Sequence, residues 1–168
     1  MTTPEIQSPL FGGVATWLLE QGLLEADVGE IAQGLGRRLV NGGVSLHRIS
    51  IGGMLLHPVF GGMDVVWEAQ HDRVRSEMFP RNAMTTPEFQ VAPFFHMVTN
   101  GIPFLRSRLE DGELDIEFPI FDRLREQGVT DYLAFFHTYG RHNEVLWADL
   151  PPGMEGIVSS FSTRRIGG

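Results

Sequence analysis

The sequence predicts a single α+β domain with a mainly antiparallel sheet of five to six strands and N-terminal helices packed on one face. Three observations carry this. The first forty residues repeat apolar side chains at helical spacing, much of the rest alternates at period two between Gly- and Pro-rich turns, and the element order contains a hairpin and ends in a three-strand antiparallel meander. At 168 residues the chain suits one core, here called residues 1–168, with residues 1–9 a flexible N-terminal tail.

Leu10 to Gln21 places Leu10, Phe11, Val14, Trp17 and Leu18 on one stripe, with Gly22 as the stop. Asp27 then opens a second helix as N-cap, and Glu30 stands where a capping-box partner belongs. Val28, Ile31, Ala32, Leu35 and Leu39 form its buried stripe, which Asn41-Gly42-Gly43 closes. From Val44 to Leu56 the period becomes two, with His47, Ile49 and Ile51 on one face and Gly52-Gly53 marking a bulge or bend. A turn at residues 57–62 and a returning strand, Asp64 to Gln70, complete a long hairpin. Residues 71–90 show little period and carry Pro80 and Pro87, so they read as a lid-like loop. A short aromatic helix from Ala92 to Asn100, a strand from Pro103 to Leu109 and a helix from Phe118 to Gln127 follow. Three strands end the chain: Tyr132 to Tyr139, Glu144 to Leu150 and Ile157 to Thr163. This order resembles that of GAF and PAS domains, the common small sensor folds.

Composition removes several functions. Thirteen basic residues against twenty-one acidic ones give a net charge of -8, which argues against binding nucleic acid or an acidic membrane surface. All the basic residues are Arg, so there is no P-loop lysine or Schiff-base amine, and no Cys provides a disulfide, thiolate ligand or nucleophile. Lack of a basic, apolar leader or a long apolar run points to the cytoplasm. The six His lack the spacings of a metal site, and no G-x-S-x-G or G-x-G-x-x-G occurs. The reading is therefore a non-enzyme with no metal or cofactor, and a stand-alone small-molecule enzyme is the remote alternative.

What remains is aromatic density near the lid-like loop. Trp67, Phe94, Phe95, His96, Phe104, Tyr132, Phe135 and His137 are candidates to line a ligand pocket, with Arg106 holding an anionic group. Each is also read as plain core, which strand-borne aromatics usually form. Leu10, Phe11, Val14, Trp17 and Leu18 are candidates for a homodimer interface.

The run Trp17-Leu18-Leu19-Glu20-Gln21-Gly22-Leu23, with Leu39-Val40, Leu55-Leu56-His57-Pro58 and Trp67, resembles the N-terminal GAF-like regulatory domain of proteobacterial class III adenylate/guanylate cyclases. Phe118 to Gly128, Thr130-Asp131-Tyr132-Leu133-Ala134 and Phe161 to Gly168 extend the likeness over nearly the whole chain. The resemblance implies a bacterial signal-transduction role in which a small-molecule effector, or dimerisation alone, controls a cyclase catalytic domain in cis and hence cAMP biosynthesis. Nothing here matches the metal-binding Asp or transition-state residues of that catalytic domain. The chain stops where the connecting helix is expected, as a regulatory fragment would, and the likeness carries over no ligand-binding residue.

Overall fold

The computed structural model describes residues 9–55, 57–110, 116–138 and 156–165. Helices α1 (Pro9–Leu23) and α2 (Val28–Asn41) lead into a sheet of β1 (Leu46–Met54), β2 (Phe60–Glu68), β3 (Arg73–Pro80), β4 (Phe104–Arg108), β5 (Asp131–Thr138) and β6 (Gly156–Thr163). A 3-10 turn (Arg81–Thr85), α3 (Pro87–Gln90) and α4 (Pro93–Thr99) link β3 to β4, and α5 (Pro119–Glu126) links β4 to β5. The strand order is β3-β2-β1-β6-β5-β4, and every pairing is antiparallel. The α+β class and the six-stranded antiparallel sheet follow directly.

Local signals explain most boundaries. The Asp27 carboxylate accepts the Gly29 N–H at 2.8 Å and caps α2, while Glu30 makes no reciprocal bond among the described residues. Gly22 does not end α1. The chain turns at Glu25, whose φ of 53° lets the Ala26 N–H reach Gln21 O and the Glu25 N–H reach Gly22 O, closing a Schellman motif with a residue other than the usual glycine.

Three expectations change. Residues 71–90 are not one loop: Arg73–Pro80 is an edge strand paired along its length with β2, and a 3-10 turn and α3 follow it. Its alternating Arg73, Arg75 and Glu77 hid the strand, because charges blunt an exposed edge and remove the apolar alternation that identifies a strand. The irregularity in β1 falls between Leu46 and Arg48, whereas Gly52 and Gly53 pair regularly. Leu46, rather than His47, consequently joins Ile49 in the helix-facing cluster, and His47 turns to Gln127 Oε1 at 3.2 Å. Finally, the N-terminal helices do pack on one face, but the other face, expected to carry only a pocket or a partner, is also partly covered, by α4 and α5. The expected strand Glu144–Leu150 and the N-terminal tail, Pro9 apart, lie outside the described residues.

Register assigns the two faces. Ile49, Val65 and Trp67 on β1 and β2 pack under α1 and α2 with Val14, Ala32, Leu35 and Leu39. Tyr132, Ala134 and Phe136 of β5 point the other way and pack with Met97 and Val98 of α4 and Phe121 and Leu124 of α5. The first cluster thus lies beneath β3-β2-β1 on one side, and the second covers β6-β5-β4 on the other. Among the described residues no helix is long and apolar enough to cross a membrane.

Candidate functional site

Because the two helical layers are offset, α4 and α5 do not reach across the whole of their face. Beside them the exposed face of β1 and β2 is roofed by the stretch from Phe79 to Phe94, and a cavity of about 230 Å³ remains between roof and sheet. At roughly 30 Å³ per liquid water this is the space of seven or eight waters, or a ligand of on the order of ten heavy atoms.

The cavity has an apolar wall and a polar floor. Phe79, Phe89, Pro93, Phe94 and Ile120 form much of the wall, with Met54 and Met63. Phe89 and Phe94 meet edge to face at 6.0 Å, and Phe94 meets Phe136 at 5.6 Å, so the roof is anchored in the second core cluster. Four strands supply the floor: Arg48 and Ser50 from β1, Asp64 from β2, Tyr132 from β5 and Ser160 from β6. The register places Ser160 opposite Ser50, and Asp64 opposite Gly52, on one face. Glycines at 52 and 62 keep the floor low. A Cβ at Gly62 would meet only the Gly53 carbonyl oxygen, at 3.5 Å, so the space above it is open.

Arg48 is the unusual member. Its Nε is buried without a partner, and the side chain makes no hydrogen bond or ion pair among the described residues. Burial pushes its pKa down from the ordinary guanidinium value, a shift that Asp64 opposes. Asp64 does not pair with it; its Oδ1 accepts the Ser50 hydroxyl at 2.6 Å. Burial also raises the Tyr132 phenol, against the influence of the neighbouring Ser160 hydroxyl. A buried guanidinium is normally paired, because desolvation of an uncompensated charge is costly. One that faces a cavity unpaired is disposed to receive an anionic group.

The predicted pocket residues separate into three places. Phe94 and Tyr132 line the cavity. Trp67 lies on the opposite face, fully buried against α2, with its indole N–H donating to Asp72 Oδ1 at 2.9 Å. Phe104, Phe135, Arg106 and His137 belong to the outer face of β4 and β5, which Ala134 and Tyr132 alternate away from. There the Phe104 and Phe135 rings meet at 5.1 Å, Arg106 is paired with Asp131, and His137 is exposed. Phe95 and His96 sit on α4 beside the cavity without lining it, Phe95 against Phe89 and His96 against Phe118. Arg106 is thus replaced by Arg48 as the cavity's cation. In the stripe expected to pair two chains, Val14 is buried and Leu10, Trp17 and Leu18 pack on α2's cluster; Phe11 is half exposed.

Arg48, Ser50, Asp64 and Ser160 were not expected at the site. Arg48 and Ser50 alternate with Ile49 and Ile51 and mark a polar face of β1, but a polar strand face reads as solvated unless something roofs it. Among the described residues no group of three or more His, Asp or Glu is placed to hold a metal ion. No family model, no curated protein and no solved structure matches this chain.

Proposed function

We propose that this chain is a non-catalytic sensory domain that binds a small molecule in the cavity between the 79–94 stretch and the sheet. The observation that carries this is Arg48, a largely buried cation left without a partner on the floor of a cavity with an aromatic wall. Binding is favoured over turnover because no His lines the cavity among the described residues, and Ser50 donates to a carboxylate rather than to an imidazole base. The roof is the natural transmitter, since a ligand touching Phe89 and Phe94 touches residues packed into the core of the other half. The regulated partner suggested by sequence resemblance is a class III cyclase catalytic domain in the same cytoplasmic protein. Native mass spectrometry of the chain purified from its own host tests the reading. A stoichiometric adduct is expected, and it should be lost when Gly62→Leu fills the cavity. A wild-type spectrum free of adduct counts decisively against it.

A second reading, a pairing module that transmits by geometry, is supported by α1. Its Phe11, Leu19 and Leu23 are 51%, 73% and 86% exposed, and the helix carries one charge, Glu20. Sedimentation velocity decides it: a monomer at high concentration removes this role.

A further inference from the structure

The sensory reading leaves the ligand's chemistry open, and the cavity's own charges narrow it. Two opposite charges line the floor, Arg48 from β1 and Asp64 from β2, and they do not form an ion pair with each other. Asp64 spends one lone pair on Ser50; a carboxylate has about four acceptor positions, so it retains capacity for a donor. Arg48 retains donors directed at no protein acceptor. The remaining floor groups, Ser50, Tyr132 and Ser160, are neutral, and much of the wall is aromatic or aliphatic.

We infer that the cavity binds a zwitterionic α-amino acid with an apolar side chain, its carboxylate on Arg48, its ammonium on Asp64 and its side chain against Phe89 and Phe94. Charge balance selects this class. A simple carboxylate satisfies Arg48 but leaves Asp64 without a counter-charge, and a dianion such as a phosphate ester adds repulsion from Asp64 at short range. A neutral ligand leaves the guanidinium unpaired. A molecule bearing both charges a few bonds apart satisfies both floor groups and keeps the cavity neutral. Size agrees: the cavity's volume suits on the order of ten heavy atoms, which admits a branched aliphatic side chain. The glycines beneath it matter for the same reason, since side chains at 52 and 62 would occupy the ligand's place.

This inference rests on the cavity being a ligand site, and the experiment separates the two. Isothermal titration of the purified chain uses three probes of one shape: L-leucine, 4-methylpentanoate, which lacks the ammonium, and 3-methylbutylamine, which lacks the carboxylate. L-leucine is expected to bind at least about tenfold more tightly than either, since a charge-assisted contact is worth that much or more. Arg48→Gln should weaken L-leucine and 4-methylpentanoate and leave the amine unchanged, whereas Asp64→Asn should weaken L-leucine and the amine and spare the acid. Circular dichroism on each variant shows that the fold is kept, and the three-probe comparison on wild type stands without any variant. If 4-methylpentanoate binds as tightly as L-leucine, the zwitterion inference is overturned and the ligand-site reading survives. Failure of L-leucine to bind also overturns it, and the native mass spectrum then judges the ligand-site reading alone.

Discussion

Replacing Arg48 by Met should make the ligand-free domain more stable. Met approximates the length and apolar character of the arginine stem while removing the guanidinium. What disappears is a charged group whose Nε is buried with no acceptor. Leaving such a group unsatisfied costs about 1–3 kcal/mol, and that is the expected gain. For 168 residues an unfolding entropy near 2.1 cal/mol/K per residue makes this a rise in Tm of about 3–8 °C. The assay is differential scanning calorimetry on protein unfolded in guanidinium, dialysed free of small molecules and refolded. The same variant should lose any stabilisation that wild type gains from its ligand, so that stability and binding move in opposite directions, as they do where a site is built at the expense of the fold. A Tm below that of wild type would refute the reasoning, because it would mean that Arg48 contributes favourable contacts to the ligand-free fold.

Gly36→Ala should destabilise despite the gain of about 1 kcal/mol in helix propensity, because its Cβ would sit 2.4 Å from the Trp67 ring carbons, and overpacking costs about 1–3 kcal/mol. Gly13→Ala, which meets nothing within 4 Å in α1, should stabilise by about 0.5–1 kcal/mol; urea unfolding monitored by circular dichroism measures both. Asp72 accepts from Arg37, Trp67 and Gln33, and its pKa is lowered to about 2 from an ordinary value near 3.8. Its stabilising contribution is complete above the unfolded value and is lost as pH falls toward 2; a carboxyl-carbon NMR titration that finds an ordinary Asp72 would contradict this. His47 is held below its ordinary pKa by burial, against the bond to Gln127. It therefore stabilises the neutral form, and the domain should lose stability as pH falls below about 6.5 toward the folded value. Gln127→Leu should lower the His47 pKa further, read from its ring-proton shifts.

Much of the fold was legible because its signals are local. The α2 stripe, the Asp27 cap and the Gly42-Gly43 ending lie within a few turns of one another and act before any tertiary contact exists. The hairpin is readable for the same reason, but the three-strand meander expected at the end is not what forms: β5 and β6, its first and third strands, are direct antiparallel neighbours. The edge strand is hidden in the sequence because the charges of Arg73 to Glu77 replace the apolar alternation, and Gly52-Gly53 signals a bulge because glycine marks bulges on average. In the structure those glycines serve the cavity instead, and the bulge lies five residues earlier, where it redirects Leu46 to the helices while Arg48 stays on the opposite face.

The candidate site was less legible than the fold, and the reason is geometric. From composition and periodicity alone, the sequence determined an α+β chain with an antiparallel sheet, rich in aromatics and without thiols or lysines. It also identified the region around residues 71–90 as one that roofs something, and Phe79, Ala83 and Phe89 do line the cavity. Which aromatics face it depends on strand parity and on the offset of two helical layers, so Phe94 and Tyr132 arrive there while Trp67, Phe104 and Phe135 point elsewhere. The floor is decided later still. Arg48, Asp64, Tyr132 and Ser160 come from four strands and meet only because β6 inserts between β1 and β5, a non-local pairing that no window of sequence contains.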